Sequence, residues 1–177
     1  MDEQLKQAAK ELEGEIVALS RQIHQHPEVG FEEHQAQAWC CQLLERHGFA
    51  VEKGAGGIET AFKARFQGKQ PGGVRVAFLA EYDSLPGLGH ACGHNLIAAA
   101  AVGAGLMLSK LADRIGGEIV VMGTPAEEGG GGKVIMLENG AFDDVQYAIM
   151  MHPSTENLVG RGGRATVKFD IAFHGKG

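Results

Sequence analysis

The chain is expected to fold as an α/β layer domain. Apolar residues recur at helical spacing near the start, short β-rich runs then alternate with helical stretches, and some of those runs are apolar without interruption, as in strands covered on both faces. The 177 residues suffice for one domain that buries a core without disulfides or a structural metal.

The elements follow in order. Leu5, Ala8, Leu12, Ile16, Leu19 and Ile23 step by three and four, a helix stripe that runs to Pro27. A second helix is expected from near Glu32, with Ala36, Trp39, Cys40, Leu43 and Leu44 on one side and Gly48 closing it as a C′ residue. Strands are expected over 49–53, 58–66 and 74–82, the last two separated by the turn at 68–73. The loop DSLPGLGHACGHN leads into a small-residue helix over 96–111, and 118–124 is a further buried strand. After PAEEGGGG come a short helix over 133–139 and a strand over 147–151 that ends in His152-Pro153. A new alternating run opens at Ala165.

Composition narrows the function. Sixteen Lys and Arg against 22 Asp and Glu give a net charge of −6, with no polybasic run to neutralise phosphates, so nucleic acid is not an expected partner. The opening MDEQLKQAAKELEGE has neither the basic nor the apolar region of a signal peptide, and the apolar stretch 96–108 is too short to span a bilayer. A cytoplasmic protein without membrane partners is expected. The three cysteines, Cys40, Cys41 and Cys92, are an odd set read as reduced thiols, the first two packed in the second helix. The 27 glycines, roughly twice an ordinary share, concentrate in loops.

Residues able to bind metal or move protons collect at one edge. Asp83, His90, Cys92, His94, Glu127, Glu128 and His152 all lie at or just beyond the C-terminal ends of three expected strands, the rim where open α/β sheets bind ligands. Thiolate and imidazole in His90-Ala91-Cys92-Gly93-His94 suit zinc, although taken alone the motif fits better a buried Cys beside a hydrogen-bonded His. Glu127 and Glu128 can complement a helix dipole. They can also divide labour, one binding a metal while the other takes a proton from water. His152 after the last strand can add an imidazole or merely face solvent. Gly87-Leu88-Gly89 lacks the third glycine of a dinucleotide loop, Cys92 standing in its place, and Gly132-Lys133 lacks the first glycine and the Ser/Thr of a phosphate loop.

FLAEYDSLPGLGHACGHN, GTPAEEGGGGK and MMHP resemble the co-catalytic di-zinc aminoacylase/carboxypeptidase family of metallopeptidases, in its amidohydrolase branch. The similarity runs from RQIHQHPE (21–28) onward. Within the branch it points to aminobenzoyl-glutamate hydrolase subunits and β-alanyl-lysine-type dipeptidases, because Asn95 follows CGH where hippurate and auxin-conjugate hydrolases usually have Asp. The resemblance implies a three-layer α/β/α zinc-exopeptidase-like catalytic domain with a mostly parallel mixed sheet. It implies two divalent ions, zinc ahead of manganese, with Cys92 bridging, His94 and His152 on one ion and Glu128 on the other. Glu127 would be the general base that takes a proton from shared water, and Asp83 a carboxylate orienting a ligand. A thiol nucleophile at Cys92 is the local rival.

The implied activity is hydrolysis of amide bonds in N-acyl amino acids or small dipeptides, aminobenzoyl-glutamate-like. Family members carry a lid domain that often dimerises and bears a histidine, then a return segment with the last metal histidine. On that pattern residues 1–164 are the N-terminal part of the catalytic domain and 165–177 the first strand of a truncated lid, His174 preceding the lid histidine. The expectation is a homodimer through the missing lid in the full-length form, and a fragment with one weak metal site and little activity of its own. The alternative is a non-catalytic truncated homologue acting as a binding or assembly module.

Overall fold

The computed structural model describes residues 3–69, 72–160 and 171–175. Its centre is a five-stranded mixed sheet built from β1 (Ala50–Lys53), β2 (Phe62–Gln67), β3 (Arg75–Ala80), β4 (Glu118–Gly123) and β5 (Tyr147–Ile149), in the order β1-β2-β4-β3-β5. β3 pairs in parallel with both β4 and β5, while β2 runs antiparallel to β1 and β4. The parallel trio therefore ends at one rim, and Glu81, Asp83, Glu127, Glu128 and His152 follow its strands there.

Helices cover both faces. On one side α1 (Glu3–Gln25), α2 (His34–Arg46) and α3 (His94–Ser109) pack Leu12, Leu19, Ile23, Leu44 and Leu106 against Ile119 and Val121 of the sheet. On the other, α5 (Gly132–Glu138) and a 3-10 turn at Ala55–Gly57 pack Met136 and Ala55 against Ala77, Val120 and Met122. The alternation of β4 side chains between the two cores is the period of two that a strand imposes, and it explains the unbroken apolar run. Each of these large β4 side chains contributes about 1.5–3 kcal/mol through burial. α4 (Ala112–Ile115) is a single turn between α3 and β4.

Small residues bring α3 close to its neighbours. A Cβ on Gly105 would lie 2.4 Å from Val121 Cγ2, and one on Gly103 would lie 3.3 Å from Ile16 Cδ1. The start of α2 lacks a side-chain cap of its own. Glu28 supplies it from outside, its carboxylate accepting the backbone N–H of Gln35 and Ala36 at 3.0 Å, which satisfies donors a helix start leaves open.

Several sequence boundaries move. The expected strand over 58–66 begins only at Phe62, because the chain turns over 58–61, where the Ala61 N–H donates to the Ile58 carbonyl at 2.9 Å. The expected strand over 147–151 ends at Ile149, and the helix expected from residue 96 begins at His94. Most of the run from Ala165 lies outside the described residues; residues 171–175 are exposed and outside any strand.

Candidate metal centre

Three strand ends build the site. Glu81 and Asp83 follow β3 directly, and side chains two apart in extended chain share a face, so both reach the same imidazole. That imidazole is His94, the first residue of α3, delivered by Gly93 at φ 77°. Its Nδ1–H donates to Asp83 Oδ1 at 2.9 Å, which leaves Nε2 as the ligand atom. Nε2 faces Glu81 Oε2 at 3.4 Å, Glu128 Oε1 at 3.6 Å and Glu127 Oε2 at 3.9 Å.

Glu127 and Glu128 come from the strap after β4. Ala126 sits there at φ 55° with its N–H held by the buried Glu33 carboxylate at 2.8 Å, and the Glu128 N–H donates to Asp83 Oδ2 at 2.9 Å. Asp83 thus fixes both a ring and a strap. From beyond β5, His152 brings its ring to 6.3 Å from that of His94, edge-on; its Nδ1–H donates to the Pro153 carbonyl at 2.8 Å, leaving Nε2 as the donor atom.

Two sets of ligand atoms lie within 4.8 Å of one another, Glu81 with His94 and His152, and His94 with Glu127 and Glu128. The residues fit a cation. Four carboxylates surround one imidazole, Lys133 pairs with Glu81, and the buried His94 Nε2 and Glu81 Oε2 have no hydrogen-bond partner. Leaving such groups unmatched costs about 1–3 kcal/mol each, and a divalent ion matches both.

Titration follows the same charges. Burial opposes the charged form of His94, yet the Asp83 hydrogen bond and the charges of Asp83, Glu81 and Glu128 raise its pKa overall. For Asp83, burial works upward but the His94 and Glu128 N–H hydrogen bonds hold the carboxyl below its usual range. The Cys92 thiol is pushed up to about 11 by its hydrogen bond with Glu128, then by burial and the surrounding carboxylates. In the absence of an ion a thiol so held is protonated at neutral pH, which removes the activation that a metal-free cysteine nucleophile requires.

Of the residues expected from sequence, His94, Glu127, Glu128, His152 and Asp83 converge. Cys92 stands beside Glu128 but falls outside both ligand sets. His90 is buried near His24, their ring centroids 6.3 Å apart, and burial keeps its pKa low. Asn95 turns away, its amide donating to Ser20 Oγ at 3.0 Å. Cys40 and Cys41 are fully buried core residues. The sequence reading missed Glu81, Lys133 and Glu33. Glu81 had a signal, as a carboxylate at the end of an apolar strand two residues before Asp83. Beside Glu128 opens a cavity of about 400 Å³ lined by Val29, Phe31, Leu85 and Pro86.

A helix-covered mixed sheet whose parallel strands carry carboxylates and imidazoles to one rim defines an α/β protein of the metallopeptidase kind. The sequence profile of Peptidase family M20/M25/M40 matches residues 64–175, and the chain belongs to that family. It is 40% identical over 171 residues to the Xaa-Arg dipeptidase of Mus musculus, covering 90% of this chain and 39% of that protein. It is 39% identical over 155 residues to a p-aminobenzoyl-glutamate hydrolase subunit of Escherichia coli (strain K12), covering 76% of this chain and 31% of that protein. A crystal structure of a dinuclear metal-binding M20 peptidase from Bacillus subtilis superposes with a TM-score of 0.75 at 25% identity, over 82% of this chain and 44% of that one. The chain thus spans less than half the length of each of these proteins. No helix among the described residues is long and apolar enough to cross a membrane.

Proposed function

We propose that this chain carries the main part of a metal-dependent amide-hydrolase site acting on small N-acyl amino acids or dipeptides, with two divalent ions, zinc ahead of manganese. The observation that carries the reading is His94 Nε2, buried, without a hydrogen-bond partner and ringed by three carboxylates. The Xaa-Arg dipeptidase and p-aminobenzoyl-glutamate hydrolase relatives support the substrate class by their names. Residues 1–164 are assigned to the catalytic domain and 165–177 to the start of a lid through which a longer form would dimerise.

A zinc ion held here supplies Lewis acidity and lowers the pKa of water to about 7. His94 and His152 are the imidazole ligands, Glu128 the carboxylate ligand and Cys92 the thiolate ligand beside it. Asp83 holds His94 in the tautomer that presents Nε2. Glu127, the most exposed carboxylate of the cluster, with 43% of its side chain open, is free to turn toward substrate. It takes a proton from the attacking water and returns it to the leaving amine, so that the amide C–N bond breaks with neutral products at that step. The apolar walls of the cavity next to Glu128 receive the acyl or side-chain group of the substrate.

The test is Glu127→Gln in the complete gene product. Turnover of an N-acyl amino acid or dipeptide falls by roughly 10²–10⁴ while metal content by mass spectrometry is unchanged. Unchanged turnover refutes the base assignment, and a wild-type protein that retains no divalent ion refutes the metal reading.

A further inference from the structure

Glu81 is not accounted for by the ligands proposed above. Its side chain is 2% exposed, and its two oxygens have different surroundings. Oε1 receives the Lys133 ammonium from the start of α5; Oε2 is buried without a hydrogen-bond partner and lies 3.4 Å from His94 Nε2, itself unpartnered. A carboxylate placed only to neutralise Lys133 has no reason to send its second oxygen into a buried site against an unpartnered imidazole nitrogen. The separation has a simple meaning: two ligands at about 2.0–2.2 Å in tetrahedral array stand roughly 3.4 Å apart. Glu81, His94 and His152 already bring their ligand atoms within 4.8 Å of one another.

We propose that Glu81 is a further ligand of the ion held by His94 and His152, and that Lys133 is a positioning residue that holds it to one-oxygen coordination. The proposal rests on the metal reading above. Lys133 occupies Oε1, so only Oε2 is offered, and the ammonium offsets one of the four negative charges at the rim. Oriented ligands of this kind bind metals about 10–100-fold more tightly than unsupported ones. A carboxylate beside two imidazoles also makes this position harder in character than one completed by thiolate.

The experiment is metal titration, not turnover. Zinc and cobalt are titrated into the apo-protein against a chromophoric chelator, with the visible Co²⁺ spectrum recorded for each variant. Glu81→Gln is expected to raise the zinc Kd at least tenfold, with circular dichroism unchanged. Should Glu81→Gln not fold, Glu81→Asp, which keeps the charge but shortens the reach by one methylene, must show the same weakening. Lys133→Met is expected to lower the Co²⁺ visible band at least twofold as the freed carboxylate turns to bind through both oxygens, and Lys133→Arg to restore it. A wild-type Kd in a folded Glu81 variant overturns the ligand assignment, and an unchanged Lys133→Met spectrum overturns the positioning role. A wild-type protein that binds no ion, or binds as His94→Ala does, overturns the metal reading instead, so the failures are distinguishable.

Discussion

Glu33, at the start of α2, accepts the backbone N–H of Ala126 at 2.8 Å across 93 residues of sequence, and so holds the strap that carries Glu127 and Glu128. The side chain is fully buried, and its second oxygen has no hydrogen-bond partner. Burial raises its carboxyl above the ordinary value of 4.5 despite hydrogen bonds that act the other way. A carboxyl with a raised folded pKa contributes its stability fully below 4.5 and loses it as pH rises through the folded value.

Glutamine at this position keeps the acceptor for Ala126 and cannot ionise. Glu33→Gln is therefore expected to be more stable than wild type at pH 7.5, by about 1 kcal/mol, and to lose that advantage below about pH 4. Glu33→Ala leaves the Ala126 N–H without its partner and is expected to cost about 1–3 kcal/mol. Urea denaturation of the three proteins at both pH values decides it. A Glu33→Gln protein less stable than wild type at pH 7.5 would show that the ionised carboxylate is required.

Asp144 gathers three cations near the far end of β3. Lys63, whose side chain is 5% exposed, donates to it and to the Ala141 carbonyl at 2.7 Å; Arg65 Nη1 donates at 2.7 Å, and Arg75 Nη1 reaches its backbone carbonyl at 2.7 Å. Burial favours the neutral acid, but the Lys63 and Arg65 hydrogen bonds outweigh it and hold the carboxyl down to about 2. A depressed carboxyl contributes stability above its ordinary 3.8 and loses it as pH falls toward 2.

Asp144→Asn leaves Lys63 with a carbonyl but no counter-charge. The expected loss is about 2 kcal/mol at pH 7, below the 3–5 of a fully buried pair because Asp144 is a third exposed. The gap between wild type and variant narrows between about pH 5 and pH 2.5 as the carboxylate takes up its proton. Denaturant midpoints at those pH values measure it, and a gap that widens on acidification would refute the role given to the charge.

Local pattern and distant contact divide what the sequence reveals. α1, β3 and β4 are legible because each repeats an apolar period that one buried face or two must satisfy. The strap and the rim are legible as well, since His94, Glu127, Glu128 and His152 each follow a strand or open a helix. The start of β2 is not, because the apolar Ile58 continues the pattern into a turn closed by the Ala61 N–H and the Ile58 carbonyl. α4 is four residues long and leaves no period at all. Glu81 with Lys133 and Glu33 with Ala126 are separated by 52 and 93 residues, and nothing local marks such partners. The cysteine of the CGH motif is legible as a metal-type residue, yet its thiol stands at Glu128 and outside the sets around His94.

Asp83 has two duties that a single substitution separates from its charge. One oxygen takes the His94 Nδ1–H at 2.9 Å and the other the Glu128 N–H at 2.9 Å. Both partners are donors, so the site calls for two acceptors. Asparagine has one acceptor oxygen and one NH₂, which must then face an N–H whichever way the amide turns. Asp83→Asn therefore either releases His94 to rotate or lifts the strap that presents Glu128. Under the metal reading, either outcome raises the zinc Kd about 10–100-fold. The buried donor left without a partner costs about 1–3 kcal/mol of stability. Chelator competition gives the first number and thermal unfolding of the apo-protein the second. A variant that unfolds earlier but binds zinc as wild type does would leave Asp83 a packing residue only. One that binds weakly and whose imidazole ¹⁵N shifts report a changed His94 tautomer would place its effect at the ring.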